Sequence, residues 1–526
     1  MSQGYLALLL HAHLPFVRHP EHEEFFEEDW LFEAITETYI PLLKIFRLLV
    51  HERANVRLTM TLTPSLCAML NDSLLRERAA RYLNRGVELS AIEVERTASD
   101  PAMNALAEFY NQRFIEARDF YEKEIGQDIV SAFAQLQEDG LLEIITCAAT
   151  HGFLPLMEAF PESMRAQILI GRDYHKQCFG REPTGIWLPE CAYVPGVTRF
   201  LVEAELRWFV IDAHGLMFGQ PRPRFAIYAP CFTPAGPAAF ARDRDSSRQV
   251  WSSREGYPGD PAYRDFYRDI GTDLPEEYLH RVLPDVGHRR PTGIKYHRIT
   301  GREPKEIYRR DWALGAADAH ANHFLQSRIG QIEHLASLLP IPPIVLAPFD
   351  AELFGHWWFE GPEFLNFFLR KAAYDQSVFS FVTPTDYLSR HSTLQIVAPS
   401  ASSWGNKGYW EVWLDHCNSW IYPHLHAAAS RMTESARRFK KSRSRLTHRK
   451  LAQMARELLL AQSSDWAFLM KTGTASAYAT KRTKDHLTRF NRLYDSLQNE
   501  SPEEEFLKFC ENTDNIFPDI NWRYYI

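Results

Sequence analysis

Seven short apolar runs, rich in β-branched residues and each closed by polar or turn residues, recur along the chain and constrain its fold more than any other feature. They are "YLALLLHAH" (5–13), "VRLTMTLTP" (56–64), "LEIITCAATH" (142–151), "TGIWLPE" (184–190), "RWFVIDAHG" (207–215), "PIVLAPFDAE" (343–352) and "VFSFVTPTD" (378–386). Continuous apolar runs of this length suit strands buried on both faces. The segments between them, such as "VTRFLVEAEL", are long enough for crossover helices. The pattern predicts an α/β architecture, a seven-stranded parallel (β/α)7 barrel.

Two insertions interrupt the rhythm. Residues from about 71 to 140 carry "LLRERAARYLNRG" and "AEFYNQRFIEARDFYEKEI", helical in period, and are expected to form a helical insertion between the second and third strands. A longer one, 216–340, opens on the proline-rich "FGQPRPRFAIYAPCFTPAGPAAF". Such a stretch resists regular structure and is expected to be a long loop over the barrel mouth, with about 219–250 as a lid. After about residue 395 the strand pattern stops, and "HLHAAASRMTESARRF" and "LTHRKLAQMARELLLAQ" are helical. The organisation expected is a catalytic barrel over 1–395, insertions included, and a helical C-terminal domain over 396–526.

Composition narrows the partners. A chain of 526 residues, 45% hydrophobic and 13% aromatic, fills a large core. No apolar run approaches the roughly 20 residues that cross a bilayer, and the first residues lack the basic start and cleavage site of a signal peptide. The expectations are no membrane association and a cytoplasmic location. The seven cysteines include no CxxC pair and read as reduced core residues. A net charge of -8 argues against nucleic acid, since phosphate binding needs concentrated Lys and Arg. The basic stretch "ARRFKKSRSRLTHRK" (436–450) is the exception, either a solvated helix face or an anion-binding patch. The oligomeric state is left open.

In a parallel βα barrel, functional side chains sit where strands end, on the C-terminal face. The seven runs end in His11 and His13, Thr63, His151, Glu190, Asp212, Asp350 and Glu352, and Thr383, a concentration of titratable groups that marks a site. Glu190 and Asp350, from the fourth and sixth runs, point into one mouth. With Trp187, Trp357 and Trp358 beside them they describe a glycosidase centre, one carboxylate as nucleophile or base and the other as acid. Singly, each could equally pair with an Arg or cap a helix.

His11 and His13 lie two apart in an extended strand and so face the same way. They suit hydrogen bonding to sugar hydroxyls, or two ligands of a zinc or iron site with His151 or Asp212 as a third. The sugar-binding reading fits the Trp-rich surroundings better, so no metal or other cofactor is expected. "SSWGNKGYWEVWLD" sets Trp404 and Trp413 nine residues apart, and Trp30 follows the histidines in "FFEEDWLFEAI". Flat rings of this kind suit pyranose faces.

The stretches "HAHLP", "ATHGF", "WLPECAY", "APFDAELFGHWW" and "SSDWAFLM", in that order, resemble the sequence regions of glycoside hydrolase family 57 over residues 4 to roughly 470. Within the family the chain looks most like the members that branch α-1,4-glucan. The resemblance implies a seven-stranded βα barrel with a helical insert and a helical C-terminal domain, and a retaining mechanism without cofactor. It implies that Glu190, in "WLPE", is the nucleophile and Asp350, in "FDAE", the acid/base. By the same resemblance His11, His13, His151, Asp212 and Asp465 line the subsite around the cleaved bond, and Trp30, Trp404 and Trp413 hold the glucan chain.

The substrate so implied is an α-glucan such as amylose or a glycogen precursor, cleaved and transferred to a 6-hydroxyl to make an α-1,6 branch. The lid would exclude water, with either Tyr228 or Phe232 at its tip; where many branching members carry an aromatic residue, "YRDIGTDL" has Thr272. The alternatives are an α-amylase or 4-α-glucanotransferase of the same family, a metal-dependent carbohydrate deacetylase built on His11 and His13, and a glucan-binding protein with a dead site.

Overall fold

The computed structural model describes residues 2–252 and 255–526. Nine strands form: β1 (Gly4–Ala12), β2 (Leu58–Leu62), β3 (Leu142–Cys147), β4 (Gly185–Trp187), β5 (Trp208–Ile211), β6 (Cys231–Phe232), β7 (Ala238–Ala241), β8 (Ile344–Asp350) and β9 (Phe379–Phe381). The seven apolar runs account for all but β6 and β7. The sheet order is β6-β7-β5-β4-β3-β2-β1-β8, with β9 paired to β1. Every pairing is parallel except the β6–β7 hairpin. Two backbone hydrogen bonds tie the far ends of this order together, Asp243 N–H to the Leu346 carbonyl (2.8 Å) and Ile344 N–H to the Tyr228 carbonyl (3.0 Å). The fold is the βα barrel that the apolar runs predict, with helices inserted and a helical C-terminal region.

Alternation along the strands decides what enters the barrel. Ala7 and Leu9 of β1 share an inner core with Cys147, Trp187, Trp208, Val210, Phe240, Ile344 and Leu346. Leu6, Leu8 and Leu10 pack outward among helices. Carried one step past the strand cores, the same period of two turns His11, Asp212, Arg242 and Asp350 inward at the mouth.

Between β2 and β3 the insertion is helical as expected, with helices Ser73–Thr97, Pro101–Asp119 and Ile129–Glu138. Asp72 caps the first by accepting from Leu75 N–H (3.1 Å). The C-terminal helices Ile421–Phe439, Arg445–Ala461, Ser464–Thr472, Ser476–Gln498 and Glu504–Thr513 share one apolar core with the barrel's outer face. The basic stretch 436–450 spans the turn between the first two of these, where Arg437 pairs with Glu162 (2.6 Å) and Arg449 with Glu511 (2.5 Å). Among the described residues, no helix is long and apolar enough to cross a membrane.

The proline-rich segment corrects the sequence reading. Its apolar tail "AAFA" becomes β7 and fills the wall beside β5, from Trp208↔Ala238 to Ile211↔Ala241. The residues from Tyr228 to Phe232 therefore lie at the barrel's lower end rather than over its mouth. Tyr228 gives its carbonyl to Ile344, the first residue of β8, at the end opposite Asp350. Phe232 pairs with Ala238, the first residue of β7. Neither Tyr228 nor Phe232 is a lid tip. Strand propensity in four residues, helped by a gap in the ring, outweighs the prolines that end at Pro237.

Candidate active site

Glu190 follows β4 in left-handed backbone (φ 62°, ψ 25°), and Cys191 after it is also left-handed (φ 49°). Such conformations cost non-glycine residues roughly 1–2 kcal/mol each and persist only where the surroundings impose them. Trp404 imposes this one. Its backbone N–H donates to the Glu190 carbonyl (3.0 Å) and its indole Nε1–H to Glu190 Oε2 (2.7 Å). The other carboxylate oxygen, Oε1, accepts from the Ser464 hydroxyl (3.1 Å).

His151, at the end of the third run, is held by the same device. Its backbone is left-handed (φ 56°), its carbonyl accepts from Ser464 N–H (3.0 Å), and its Nδ1 meets Ser464 Oγ at 2.8 Å. On the far side His151 Nε2 lies 3.1 Å from His11 Nε2. Counting donors fixes the direction of this chain. The Ser464 proton goes to Glu190, so Ser464 Oγ accepts from His151 Nδ1–H. A neutral His151 must then accept at Nε2 from His11 Nε2–H. Burial drives both imidazoles well below their usual pKa, helped by the neighbouring histidines, so both are neutral. A directed relay, His11 to His151 to Ser464, thus ends on Glu190.

His13 is different. Its ring stacks on His151 at 3.8 Å, Nδ1 meets Thr63 Oγ1 (3.0 Å), and Nε2 meets Asp465 (3.0 Å). Burial opposes its protonation, but Asp465 outweighs burial and raises its pKa. Asp465 in turn, although buried, is lowered to about 2 by His13. The pair is an imidazolium–carboxylate pair. Thr63 serves twice, since its hydroxyl also caps helix Pro64–Asn71 through Leu66 N–H (3.4 Å).

On the opposite wall Asp350 ends β8 in ordinary extended backbone (φ -65°, ψ 133°). Among the described residues no hydrogen bond fixes its side chain. Its pKa is raised well above the usual carboxylate range, first by burial, then by Glu352 and Glu190, with Arg242 opposing. Glu190 is raised to about 7, chiefly by burial and against the pull of Trp404. Among the described residues Asp212 makes no hydrogen bond to His11, His13 or His151. It takes Arg242, Arg244 (3.1 Å) and His214 (2.8 Å), and although burial opposes ionisation, Arg242 outweighs it and holds the carboxyl low. Asp212 therefore anchors Arg242, whose guanidinium lies 5.7 Å from the Trp404 ring.

The structure thus brings His11, His13, His151, Glu190, Asp350, Trp404 and Asp465 together and revises several aromatic roles. Trp187 is fully buried and stacks beneath His11 (4.7 Å), so it floors the site instead of meeting a sugar. Trp413 is 1% exposed and stacks on Phe153 (4.3 Å), so it supports the wall and offers no open face. Trp404 holds Glu190. Trp30 is half-buried, edge-on to Tyr478 (5.8 Å). Trp357 remains an open platform, 54% exposed and stacked on Phe266 (4.8 Å), whereas Trp358 is core. Tyr228 lies outside the mouth, as described above.

Three contributors escaped the sequence reading. Arg242 follows β7, a strand hidden behind prolines; Ser464 belongs to no strand; Tyr39, which bonds Glu352 (2.6 Å), sits in a helix. For Arg242 a signal existed in "AAFAR", where the inward period of two ends on an arginine.

His13, His151 and Asp465 have ligand-type atoms within 4.8 Å of one another, close enough to consider a cation. Each such nitrogen already has a hydrogen-bond partner, so an ion would have to break His13–Asp465 or His11–His151. The donor set behaves as a satisfied polar network.

Residues 7–399 match the sequence model of glycosyl hydrolase family 57, and residues 424–525 that of the 1,4-alpha-glucan branching enzyme C-terminal region. A 1,4-alpha-glucan branching enzyme of Thermococcus kodakarensis is 35% identical over 98% of this chain and 77% of its own length. Among solved structures, an alpha-amylase, AmyC, from Thermotoga maritima superposes with a TM-score of 0.93 at 44% identity, covering 99% of both chains. A branching enzyme of family type 57 from Pyrococcus horikoshii gives 0.89 at 34% identity, covering 100% of this chain and 97% of that one.

Proposed function

The chain belongs to glycosyl hydrolase family 57, and from that premise we propose that it is a 1,4-α-glucan branching enzyme working by retaining double displacement. In the first step Asp350 passes its proton to the leaving glycosidic oxygen while Glu190 attacks the anomeric carbon. Trp404 and Ser464 favour ionised Glu190 against its burial and aim it, and each of its oxygens retains a lone pair for the attack. A glucosyl ester on Glu190 results. Asp350, now ionised, takes a proton from the 6-hydroxyl of a second α-glucan chain, whose oxygen displaces Glu190 and forms the α-1,6 branch. A bound acceptor outcompetes water because oriented groups reach effective molarities on the order of 10⁵ M or more.

In this reading His11, whose Nδ1 is the one ring nitrogen of the three histidines without a partner, meets a hydroxyl of the cleaved unit, His13 and His151 hold Asp465 and Ser464 beside it, and Trp357 stacks on the chain. The observation that carries the proposal is the origin of Ser464 and Asp465. Both lie in the part that matches the branching-enzyme C-terminal region, and both reach the barrel mouth, one to Glu190 and one to His13. The test is incubation with amylose, followed by debranching and sizing of the chains. New α-1,6 linkages are expected; their absence would overturn the proposal.

Hydrolysis is a second reading, favoured by one observation. The segment with Tyr228 and Phe232 lies at the barrel's lower end and does not shield the mouth from water. Reducing sugar appearing as fast as chains shorten would establish an α-amylase instead. For either activity, chelation is expected to leave the rate unchanged, and a loss restored by zinc would return His13, His151 and Asp465 to the role of ligands.

A further inference from the structure

Glu352 stands two residues beyond Asp350 and takes no part in the double displacement, yet it is tightly held and only 7% exposed. Its Oε1 accepts both the Tyr39 hydroxyl (2.6 Å) and the His13 backbone N–H (3.1 Å). The register of the barrel explains the second contact. β1 and β8 align His11 with Asp350, so the next position outward sets His13 against Glu352. Tyr39 closes a π-helical turn, Ile35–Tyr39, a local widening that recurs at functional sites. Both donors fall on Oε1, and among the described residues no hydrogen bond engages Oε2.

We propose that Glu352 is a positioning residue that acts through Asp350: fixed by Tyr39 and His13, its carboxylate holds the acid/base protonated until the glycosidic oxygen takes the proton. The groups facing Asp350 are Glu352 from the turn after β8, Glu190 from the end of β4 and Arg242 from the end of β7. The first two disfavour a third negative charge and the last favours it. Burial raises the pKa of Glu352 itself to about 7, against Tyr39 and His13, which favour its charge, so that charge is present on the neutral and basic side where Asp350 must keep its proton. Burial and these like charges together keep Asp350 an acid. Once Glu190 is esterified its charge is gone, and Glu352 is the remaining carboxylate against which Asp350 must ionise.

This inference rests on the two-carboxylate reading, and its test separates the two. Glu352→Gln keeps the acceptor for Tyr39 and His13 and removes the charge. On α-glucan the basic limb of kcat/KM is expected to move down by about one pH unit, the order of shift that a neighbouring like charge produces. On an aryl α-glucoside whose leaving group needs no proton, kcat/KM of the variant is expected to match the parent within about twofold, because general acid help is then dispensable in the first step. Glu352→Asp keeps the charge and is expected to restore the limb. If Glu352→Gln does not fold, Glu352→Met removes the same charge and is read the same way. An unmoved basic limb in the neutral variants, with glucan turnover lost in Asp350→Asn, overturns this inference alone. Glucan turnover surviving in Asp350→Asn overturns the two-carboxylate reading beneath it.

Discussion

At the end of β4, Glu190 sits in left-handed backbone and receives hydrogen bonds from Trp404 and Ser464, whereas at the end of β8, Asp350 continues an ordinary strand with no hydrogen bond to its side chain among the described residues. The contrast fits the roles proposed for the two groups. A nucleophile must be ionised and aimed, and donors favour the charged form and fix the angle. An acid must keep its proton and then release it, so burial and neighbouring negative charge suit it better than donors. The clamped side draws its clamps from residues 404 and 464, far along the chain, whereas the free side is held by its own strand, with Glu352, Glu190 and Arg242 acting on it through charge alone.

The largest break in this comparison is Glu190→Gln, which removes the nucleophile with the shape kept and is expected to lower turnover by roughly 10⁴-fold or more while glucan binding persists. Parent-like turnover in that variant would remove Glu190 from the mechanism. Next comes Asp350→Asn, expected to cost about 10²- to 10⁴-fold in kcat/KM on glucan and little in kcat/KM on an activated aryl substrate, whose kcat nevertheless falls because the base of the second step is gone. Equal losses of kcat/KM on both substrates would mean that in the first step Asp350 does more than donate a proton.

Loss of one clamp is smaller. Trp404→Phe or Ser464→Ala removes one hydrogen bond to a charged group, worth about 1.5–3 kcal/mol, so a decrease of roughly 10- to 10²-fold is expected. The sign on pH is also fixed. These donors favour ionised Glu190, whose pKa already stands at about 7 through burial. Removing one raises it further and moves the acidic limb of kcat/KM to higher pH. An acidic limb that stays in place or moves down would show that the clamps aim Glu190 without supporting its charge. The smallest effect is expected from Tyr228→Phe, which lies at the barrel's far end and should leave the ratio of transfer to hydrolysis within about twofold. A large fall in transfer there would place Tyr228 at the mouth during turnover.

Much of the free side was legible in the sequence, and little of the clamped side was. Runs of buried strand residues fix where strands end, and their period of two turns His11, Asp212 and Asp350 inward without reference to anything distant. Glu190 was visible because it closes such a run in "WLPE". Its clamps were not, because Trp404 and Ser464 arrive from segments with no strand rhythm and contact it only through tertiary packing. The same limit explains the aromatic residues. Trp404 and Trp413 look alike in sequence, but one donates to Glu190 and the other is stacked under Phe153. Asp465, found through family resemblance alone, had no strand to announce it. Tyr228 was misplaced because prolines suggested a loop where the ring had room for β7.

The clamped nucleophile is tested most directly by trapping the glycosyl-enzyme. Incubation with a fluorinated glycosyl fluoride, which forms the ester quickly and loses it slowly, followed by proteolysis and mass mapping, reports which side chain carries the sugar. The account predicts a single adduct on Glu190, formed far more slowly in Trp404→Phe. An adduct on Asp350 or Glu352, or turnover with inverted anomeric configuration and no adduct, would contradict it.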